Sequence, residues 1–536
     1  MKKVFRPLVF AAVPLALMAA TPVVAATLTI GLALEPTSMD PHFHNLAPNN
    51  AMRQHIFESL TQSDENQLTQ PSLAVSWEPT GDTTWEFKLR EGVTFSNGTP
   101  FTATDVIYSI CRVPRVEGSP SSFTSFTRDI AGIEVPDETT IVFTTRAPSP
   151  LLPTNLASVA ILSAEAFGGE NVVFGADGCE NAGTYPASTD FADPSVAVGT
   201  GPYKLVSFNP GDRITLTRNE NYWGGDVEWE NVILRGIPNP GARVAALLAE
   251  DVDVIETPPI QDFDQIRSRG FKIEQGLSNR VIYLHVDSGE AVPPGVSGTD
   301  GRNPFADVRV REAISKAINR EAIIDRVMGG VAVAAGELLP WPLFGTSEDA
   351  EPDAFDPDRA RELLAEAGFP DGFSVTLFTP NDRYINDERV AQAVAQMLAR
   401  IGIRTSVDSM TASTFFSRRG QGDYGFWLAG WGAASGEMAN PLLALTATRD
   451  TDAGTGLTNL QNYSNPELDA LIAEARRTVD DDARRAILQR ASKIAMDDYA
   501  TIPLHFEVTP WAFKPNLSLT PRVDQYTLAM GITAAN

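Results

Sequence analysis

The spacing of apolar and polar residues divides the chain into two regions. In the first, apolar residues alternate with polar ones; Trp85, Phe87 and Leu89, for example, are separated by single charged residues. An alternation with period two predicts a half-buried β-strand. The stretch 213–218 repeats the pattern. We therefore predict mainly strands and turns between residue 59 and about residue 288.

From about residue 288 the pattern changes to helices that alternate with strands. Val310 and Ile314 lie on one helical stripe, and Asp307 is placed to cap that helix. A second helix is predicted over 387–400, followed after a turn by apolar strands such as 426–431. Repeated units of this kind indicate an α/β lobe with a largely parallel sheet.

Two strand segments, 281–286 and 502–506, bracket this α/β region. We interpret them as crossovers to a first lobe that is assembled from both ends of the chain, which would create a two-stranded hinge. The alternative is two independent domains, but no Pro/Ser-rich linker lies near residue 280. The predicted division is 27–58 (lobe I, first part), 59–195 (an extra subdomain of lobe I), 196–283 (lobe I, second part), 284–501 (lobe II) and 502–536 (return to lobe I).

Residues 1–26 predict a cleaved signal peptide. Three basic residues precede the apolar run 8–24, which ends in small residues. A membrane anchor is the alternative, but the run is short and two prolines interrupt it. No Cys follows the predicted cleavage site, so we expect a periplasmic protein and not a lipoprotein. Cys111 and Cys179 could pair in that oxidising compartment, or both could stay reduced.

Composition and motifs narrow the function. The chain has 42 basic against 68 acidic residues, a formal net charge of −26, which argues against nucleic acid as a partner. We find no serine-hydrolase elbow, HExxH, phosphate-binding loop or CxxC motif, so we predict no enzymatic activity and no cofactor. His42 and His44 could hold a metal if extended, but such sites need more ligands, and we predict none.

Several stretches resemble the extracytoplasmic solute-binding proteins of ABC importers, family 5, the oligopeptide/dipeptide/nickel-binding type. The matching segments are Trp85–Val106, Gly199–Tyr203, Asn219–Trp223, Phe305–Ile314, Gly430–Gly432 and Tyr463–Asp469. The resemblance implies a two-lobed periplasmic-binding-protein fold (type II, large cluster) with an extra subdomain in lobe I. It also implies a di- or oligopeptide ligand held between the lobes by hinge closure and delivered to permease subunits of the inner membrane. We expect a monomer.

The resemblance points to ligand-binding residues in lobe II. In peptide-binding relatives the segment that matches Trp431 and Gly432 presents backbone groups to the peptide, and a carboxylate just beyond pairs with its α-ammonium. Here that position is Ala434. A buried ammonium without a countercharge costs several kcal/mol. We therefore predict that Glu437 supplies the charge or that the ligand has no such amine. Trp431 is expected to form a stacking wall, with a core position as the alternative.

Two further loops complete the predicted site. Dipeptide-binding relatives place an Arg for the ligand carboxylate in the loop that here contains Arg383 and Tyr384. An exposed ion pair is the alternative for this Arg. From lobe I, Phe43, His44 and Asn45 should approach the cleft because they follow the carboxyl end of the first strand.

The ligand and the class of function stay open on several points. Ala434 allows opines, glycosides or chelated nickel as ligands of the same fold. A secreted hydrolase that uses pairs of acidic residues is a second class, and a peptide-holding chaperone is a third. The leading prediction is a peptide-class solute receptor.

Overall fold

The structure is a computed structural model that describes residues 26–175 and 178–535. All of the predicted signal peptide except Ala26 lies outside the described residues, so its cleavage stays a prediction. The strands are β1 (Thr27–Leu32), β2 (Thr61–Ser63), β3 (Thr69–Pro71), β4 (Ala74–Gly81), β5 (Thr84–Leu89), β6 (Ile130–Asp137), β7 (Thr140–Thr145), β8 (Val173–Gly175), β9 (Gly178–Glu180), β10 (Tyr203–Asn209), β11 (Arg213–Arg218), β12 (Asn231–Gly236), β13 (Val254–Glu256), β14 (Lys272–Val286), β15 (Val296–Ser297), β16 (Ala332–Ala334), β17 (Ser374–Pro380), β18 (Arg404–Met410), β19 (Phe426–Gly432), β20 (Ile502–Phe513), β21 (Leu517–Leu519) and β22 (Ile532–Ala534).

Helices cover both halves of the molecule. They are α1 (Ala47–Ile56), α2 (Ala103–Arg112), α3 (Thr124–Thr127), α4 (Leu152–Leu156), α5 (Pro240–Leu248), α6 (Phe263–Ser268), α7 (Val308–Lys316), α8 (Arg320–Arg326), α9 (Pro357–Glu366), α10 (Asp387–Ala399), α11 (Ala412–Gly420), α12 (Ala439–Pro441), α13 (Pro466–Ala475) and α14 (Asp481–Asp497). The cap predicted for α7 is present, since Asp307 Oδ1 accepts a hydrogen bond from Arg309 N at 3.0 Å. A second helix, α8, starts separately because Asn319 caps it in the same way.

One 12-stranded sheet connects the two halves, in the order β10-β11-β12-β1-β13-β20-β14-β19-β17-β15, with β16 beside β20 and β18 beside β17. The long antiparallel pair β14 and β20 forms its centre, from Lys272 opposite Phe513 to Leu284 opposite Ile502. One end of β20 pairs with β13, and the other end of β14 pairs with β19. The pair therefore runs from one half of the sheet into the other, and the predicted α/β, two-lobed fold is confirmed.

The prediction of a largely parallel sheet in the second half is wrong. β17 pairs in parallel with β18 and β19, but β19 is antiparallel to β14, and β15 is antiparallel to β17. The sheet is mixed because the chain enters this half along β14 and leaves it along β20, in the opposite direction.

A smaller antiparallel sheet, β4-β5-β7-β6, lies within residues 59–195. The predicted alternation in β5 is present, with Trp85, Phe87 and Leu89 buried. Cys111 at the end of α2 and Cys179 in β9 form a disulfide, with their Cα atoms 5.8 Å apart. This bond fixes the short β8–β9 hairpin to the helix.

Candidate ligand-binding cavity

A cavity of about 490 Å³ lies where the two halves meet. Its walls come from α1 and the chain that follows it, the β2–β3 hairpin, the end of α4, the C-terminal segment and the loop after β19. Such a volume is in the range of small-molecule sites. Polar and charged residues that line it include Asn45, Asn50, Arg53, Gln54, Glu58, Ser59, Thr61, Ser63, Asp64, Ser72, Asn155, Ser158, Tyr222, Ser435, Asn440, Arg522, Asp524 and Tyr526.

Direct hydrogen bonds close one side of the cavity. Gln67, in the β2–β3 hairpin, donates through Nε2 to the carbonyl oxygen of Ala434 at 3.3 Å. Its Oε1 accepts from Asn279 Nδ2 at 2.7 Å. Gly436 sits against Gln67 with φ of +65°, and a Cβ there would lie 2.9 Å from Gln67 Cβ. The two halves thus touch through a contact that only a glycine allows at this distance.

The C-terminal segment is fixed to the same hairpin. Arg522 Nη2 donates to the carbonyl oxygens of Ser63 at 3.1 Å and Asp64 at 3.0 Å. It also pairs with Asp524 at 2.5 Å. The cationic group of Arg522 is therefore already engaged within the wall that it helps to form.

Trp431 and Gly432 lie at the end of β19, one layer behind the cavity wall. Trp431 is half-buried, and its Nε1 donates to Asn440 Oδ1 at 2.8 Å. Asn440 lines the cavity, as does Ala434, whereas Trp431 is not among the lining residues of the described chain. Trp431 therefore contacts a residue of the cavity wall through a hydrogen bond and does not line the cavity itself.

Arg383 and Tyr384 belong to a cluster on the other side of β19. The Tyr384 hydroxyl donates to the Gly430 carbonyl oxygen at 3.1 Å, and the exposed Arg383 guanidinium lies 5.4 Å from the Tyr384 ring centre. An ion pair between Arg280 and Glu507, 3.1 Å long, is packed beside them. In the part of the chain that the structure covers, none of these side chains lines the cavity.

Glu437 forms an ion pair with another residue of lobe II. Its carboxylate pairs with Arg484 at 2.5 Å, and both side chains are buried. Burial raises the pKa of Glu437, against the lowering effect of Arg484. The structure places Glu437 beneath the loop whose residues Ala434 and Ser435 line the cavity.

The three residues of the lobe I loop that were predicted to reach the cleft do not all lie at the same cavity. Asn45 lines the cavity and accepts a hydrogen bond from Asn50 Nδ2 at 2.8 Å. His44 instead bonds to Thr37 Oγ1 at 2.9 Å. Phe43 lines a second cavity of about 820 Å³ within lobe I. Of the three predicted residues, the structure brings Asn45 to the interlobe cavity.

Arg53 is the lining residue that the sequence reasoning missed most clearly. It lies on α1 and is only 5% exposed. Its Nη2 donates to the Ala157 carbonyl oxygen at 3.3 Å, and its Nε has no partner in the described structure. The available signal was its place between Met52 and Ile56 on the buried face of a short helix, where a charged residue is unusual.

The histidines singled out in the sequence have protein partners. His42 is buried, with Nε2 2.8 Å from the Ala160 carbonyl oxygen and Nδ1 3.2 Å from Arg112 Nη1. Burial lowers the pKa of His42 to about 3. Over residues 26–175 and 178–535, no group of three or more His, Cys, Asp or Glu side chains is arranged to hold a metal ion.

Two lobes built on one continuous sheet, with a polar cavity between them, are the architecture of the periplasmic-binding-protein class. The family model for bacterial extracellular solute-binding proteins, family 5 (middle), matches residues 69–453. The chain belongs to this family, and the predicted family is confirmed. Members of the family are substrate-binding proteins of ABC transporters and are not enzymes.

Individual relatives agree along nearly the whole chain. The glutathione-binding protein GsiB of Escherichia coli is 27% identical over 515 residues, which cover 94% of this chain and 93% of GsiB. Heme-binding protein A of Haemophilus influenzae is 27% identical over 502 residues, 89% of this chain and 85% of the relative. Haemophilus parasuis HbpA2 shares the fold, with a TM-score of 0.78 at 22% identity over 95% of this chain and all of HbpA2. No helix in the described residues combines the length and hydrophobicity that a membrane span needs.

Proposed function

We propose that this protein is a periplasmic receptor that captures a peptide-class solute, a di- or oligopeptide, between its lobes and delivers it to an ABC permease. The observation that carries the proposal is the interlobe cavity, whose walls come from both lobes and are joined by the hydrogen bond from Gln67 to Ala434. A ligand that contacts both walls stabilises the closed state relative to any open one. The permease would then recognise the closed state.

The chemistry of the cavity suits a small polar solute. Ser72 Oγ and Ser435 Oγ, one from each lobe, are buried and without partners among the described residues. Both residues line the cavity, together with the amides of Asn45, Asn50 and Asn155. Peptide groups supply the donors and acceptors that such side chains require. Micromolar affinity needs about −8 kcal/mol, which an enclosed polar site can provide.

A mixture of di- to hexapeptides tests the proposal. We expect native mass spectrometry of the mature protein to show bound, intact peptides. At a free concentration one hundred times the Kd, binding should stabilise the fold by about 2.7 kcal/mol. Shortened peptides would indicate a hydrolase, and unsaturable binding would indicate a holding chaperone; either result contradicts the proposal. A retained solute with the mass of an opine, a glycoside or a metal chelate would replace the peptide class by that class.

A further inference from the structure

Arg53 differs from the other buried arginines of the molecule. Arg243, Arg311 and Arg320 each donate several hydrogen bonds to backbone carbonyl oxygens, in addition to a side-chain oxygen in two cases. Arg112 pairs with Asp40 through both Nη atoms, and Arg484 pairs with Glu437 and Asp481. Arg53 makes a single hydrogen bond, to Ala157, and takes part in no ion pair among the described residues. Its donors are thus largely unused.

The surroundings of Arg53 do not neutralise its charge. Burial lowers its pKa to about 10, so the guanidinium stays protonated at neutral pH. The Phe123 ring centre lies 5.8 Å from the guanidinium carbon. Tyr526, also in the cavity wall, has a pKa that burial raises to about 12, so its phenol is neutral. Among the described residues no carboxylate forms an ion pair with Arg53, and a buried cation without a countercharge destabilises the empty protein.

Of the four carboxylates in the cavity wall, three are occupied by other partners, and the fourth, Glu65, is exposed and forms no ion pair with Arg53 among the described residues. Asp524 pairs with Arg522. Asp64 Oδ1 accepts from the backbone of its own hairpin, at Asn66 N and Leu68 N. Glu58 accepts from Trp223 Nε1 at 2.6 Å. The positive charge of Arg53 is therefore available to a molecule that enters the cavity.

We propose that the solute carries a carboxylate and that the Arg53 guanidinium binds it. A guanidinium matches a carboxylate in charge and in the geometry of two parallel hydrogen bonds. The inference rests on the proposed function and adds to it the chemistry of one end of the ligand. It assigns carboxylate recognition to α1 of lobe I, away from the loop of Arg383.

Isothermal titration calorimetry with three tripeptides tests this assignment. The probes are Ala-Ala-Ala, its C-terminal amide, and Ala-Asp-Ala amide, which separate a main-chain carboxylate from a side-chain carboxylate. We expect at least one acid to bind about 10- to 100-fold more tightly than the amide without any carboxylate, since hydrogen bonds between charged groups are strong. If the favoured probe is Ala-Ala-Ala, Arg53 binds the peptide C-terminus; if it is Ala-Asp-Ala amide, Arg53 binds an acidic side chain.

Variants of Arg53 test whether this residue causes the preference for a probe with a carboxylate. Arg53→Met should bring the affinities for the acid and for its amide to within about twofold of each other, and Arg53→Lys should retain part of the preference for the acid. Arg269→Met, which removes a positive charge from an exposed site of lobe I, is the matched control and should behave as wild type. Thermal unfolding of empty Arg53→Met should occur no lower than that of wild type, which shows that the variant folds.

Two results would overturn the inference. One is equal affinity of the wild type for acids and amide, and the other is an undiminished preference for the acid in Arg53→Met. Both leave the proposed function intact, because the protein would still bind peptides. If no tripeptide and no member of the peptide mixture binds saturably, both the inference and the proposed function fail.

Discussion

Two buried arginines in lobe I, Arg112 and Arg53, stand on consecutive helices and have opposite surroundings. Arg112 Nη1 and Nη2 donate to the two carboxylate oxygens of Asp40 at 2.9 and 2.7 Å. Burial opposes the charge on Asp40, yet Arg112 holds its pKa below the usual value. Arg53 faces the interlobe cavity with one hydrogen bond. The fold thus neutralises the buried charge of Arg112 inside the lobe and, among the described residues, leaves that of Arg53 without an ion pair in the wall of the interlobe cavity.

The largest effect is expected from making the Arg112 site resemble the Arg53 site. Asp40→Asn leaves a buried guanidinium without its countercharge, which should lower the free energy of unfolding by about 3–5 kcal/mol. Chemical denaturation of the empty protein measures this loss. Arg53→Met, measured in parallel, should lose no stability. A loss below about 1 kcal/mol for Asp40→Asn would show that the two sites are energetically alike.

The disulfide next to Arg112 gives the second effect. Replacing both Cys111 and Cys179 by Ser should lower the free energy of unfolding by about 2–4 kcal/mol, because the bond closes a long loop in the unfolded chain. Denaturation with and without reductant measures it, with the double Ser variant as the control that reductant should not affect. Equal stability of oxidised and reduced wild type would contradict the prediction.

A smaller effect is expected from two buried carboxyl groups, and it should appear as a dependence of the free energy of unfolding on pH. Burial raises the pKa of Glu58, in the cavity wall, and of Glu337, in lobe II, from 4.5 to about 7. The stability that each contributes is complete below about pH 4.5 and is lost as the pH rises through about 7. The free energy of unfolding, measured between pH 4.5 and 8, should therefore fall less steeply with rising pH in Glu58→Gln and in Glu337→Gln than in the wild type.

Ligand binding should distinguish these same two variants. Glu58 lines the cavity, whereas Glu337 bonds to Ser347 and Ser492 elsewhere in lobe II. The pH dependence of peptide affinity should change in Glu58→Gln alone. An equal change in both variants would mean that the effect reaches the ligand through overall stability.

The smallest effect concerns the contact between lobes. Gln67→Ala removes the interlobe hydrogen bond to Ala434, together with a bond to Asn279 inside lobe I, and should weaken peptide binding several-fold, at about 0.5–1.5 kcal/mol per bond. Gln70→Ala is the matched control, since Gln70 bonds to Asp64 within the same hairpin. Calorimetry compares the two. Equal peptide affinities of the two variants would show that the Gln67 contact does not contribute to closure of the lobes on the ligand.

The sequence predicted which helices and strands form more accurately than it predicted where they end. Helix caps at Asp307 and the alternation in β5 depend on neighbours a few residues away, so they could be predicted. β20 extends to Phe513, beyond the predicted Phe506, although Pro510 lies within it. Proline lacks the backbone donor of a central strand and breaks the expected pattern. Pairing with β14 over this stretch compensates, which only the tertiary structure shows.

The residues of the site were predicted less accurately from the sequence than the secondary structure was. Family motifs pointed to the loop after β19, and its residues Ala434 and Ser435 do line the cavity. Arg53 escaped prediction because an Arg on a helix is ordinarily exposed, and its burial depends on Ala157 and Tyr526, which are distant in the chain. The environment of a charged side chain is set by such remote contacts, and periodicity carries no information about them.

Small-angle X-ray scattering of the empty and the peptide-saturated protein tests most directly whether the lobes close on a solute. We expect a smaller radius of gyration in the saturated sample, and the midpoint of this change should fall at the Kd that calorimetry gives. Scattering curves that superimpose while calorimetry shows saturation would contradict it.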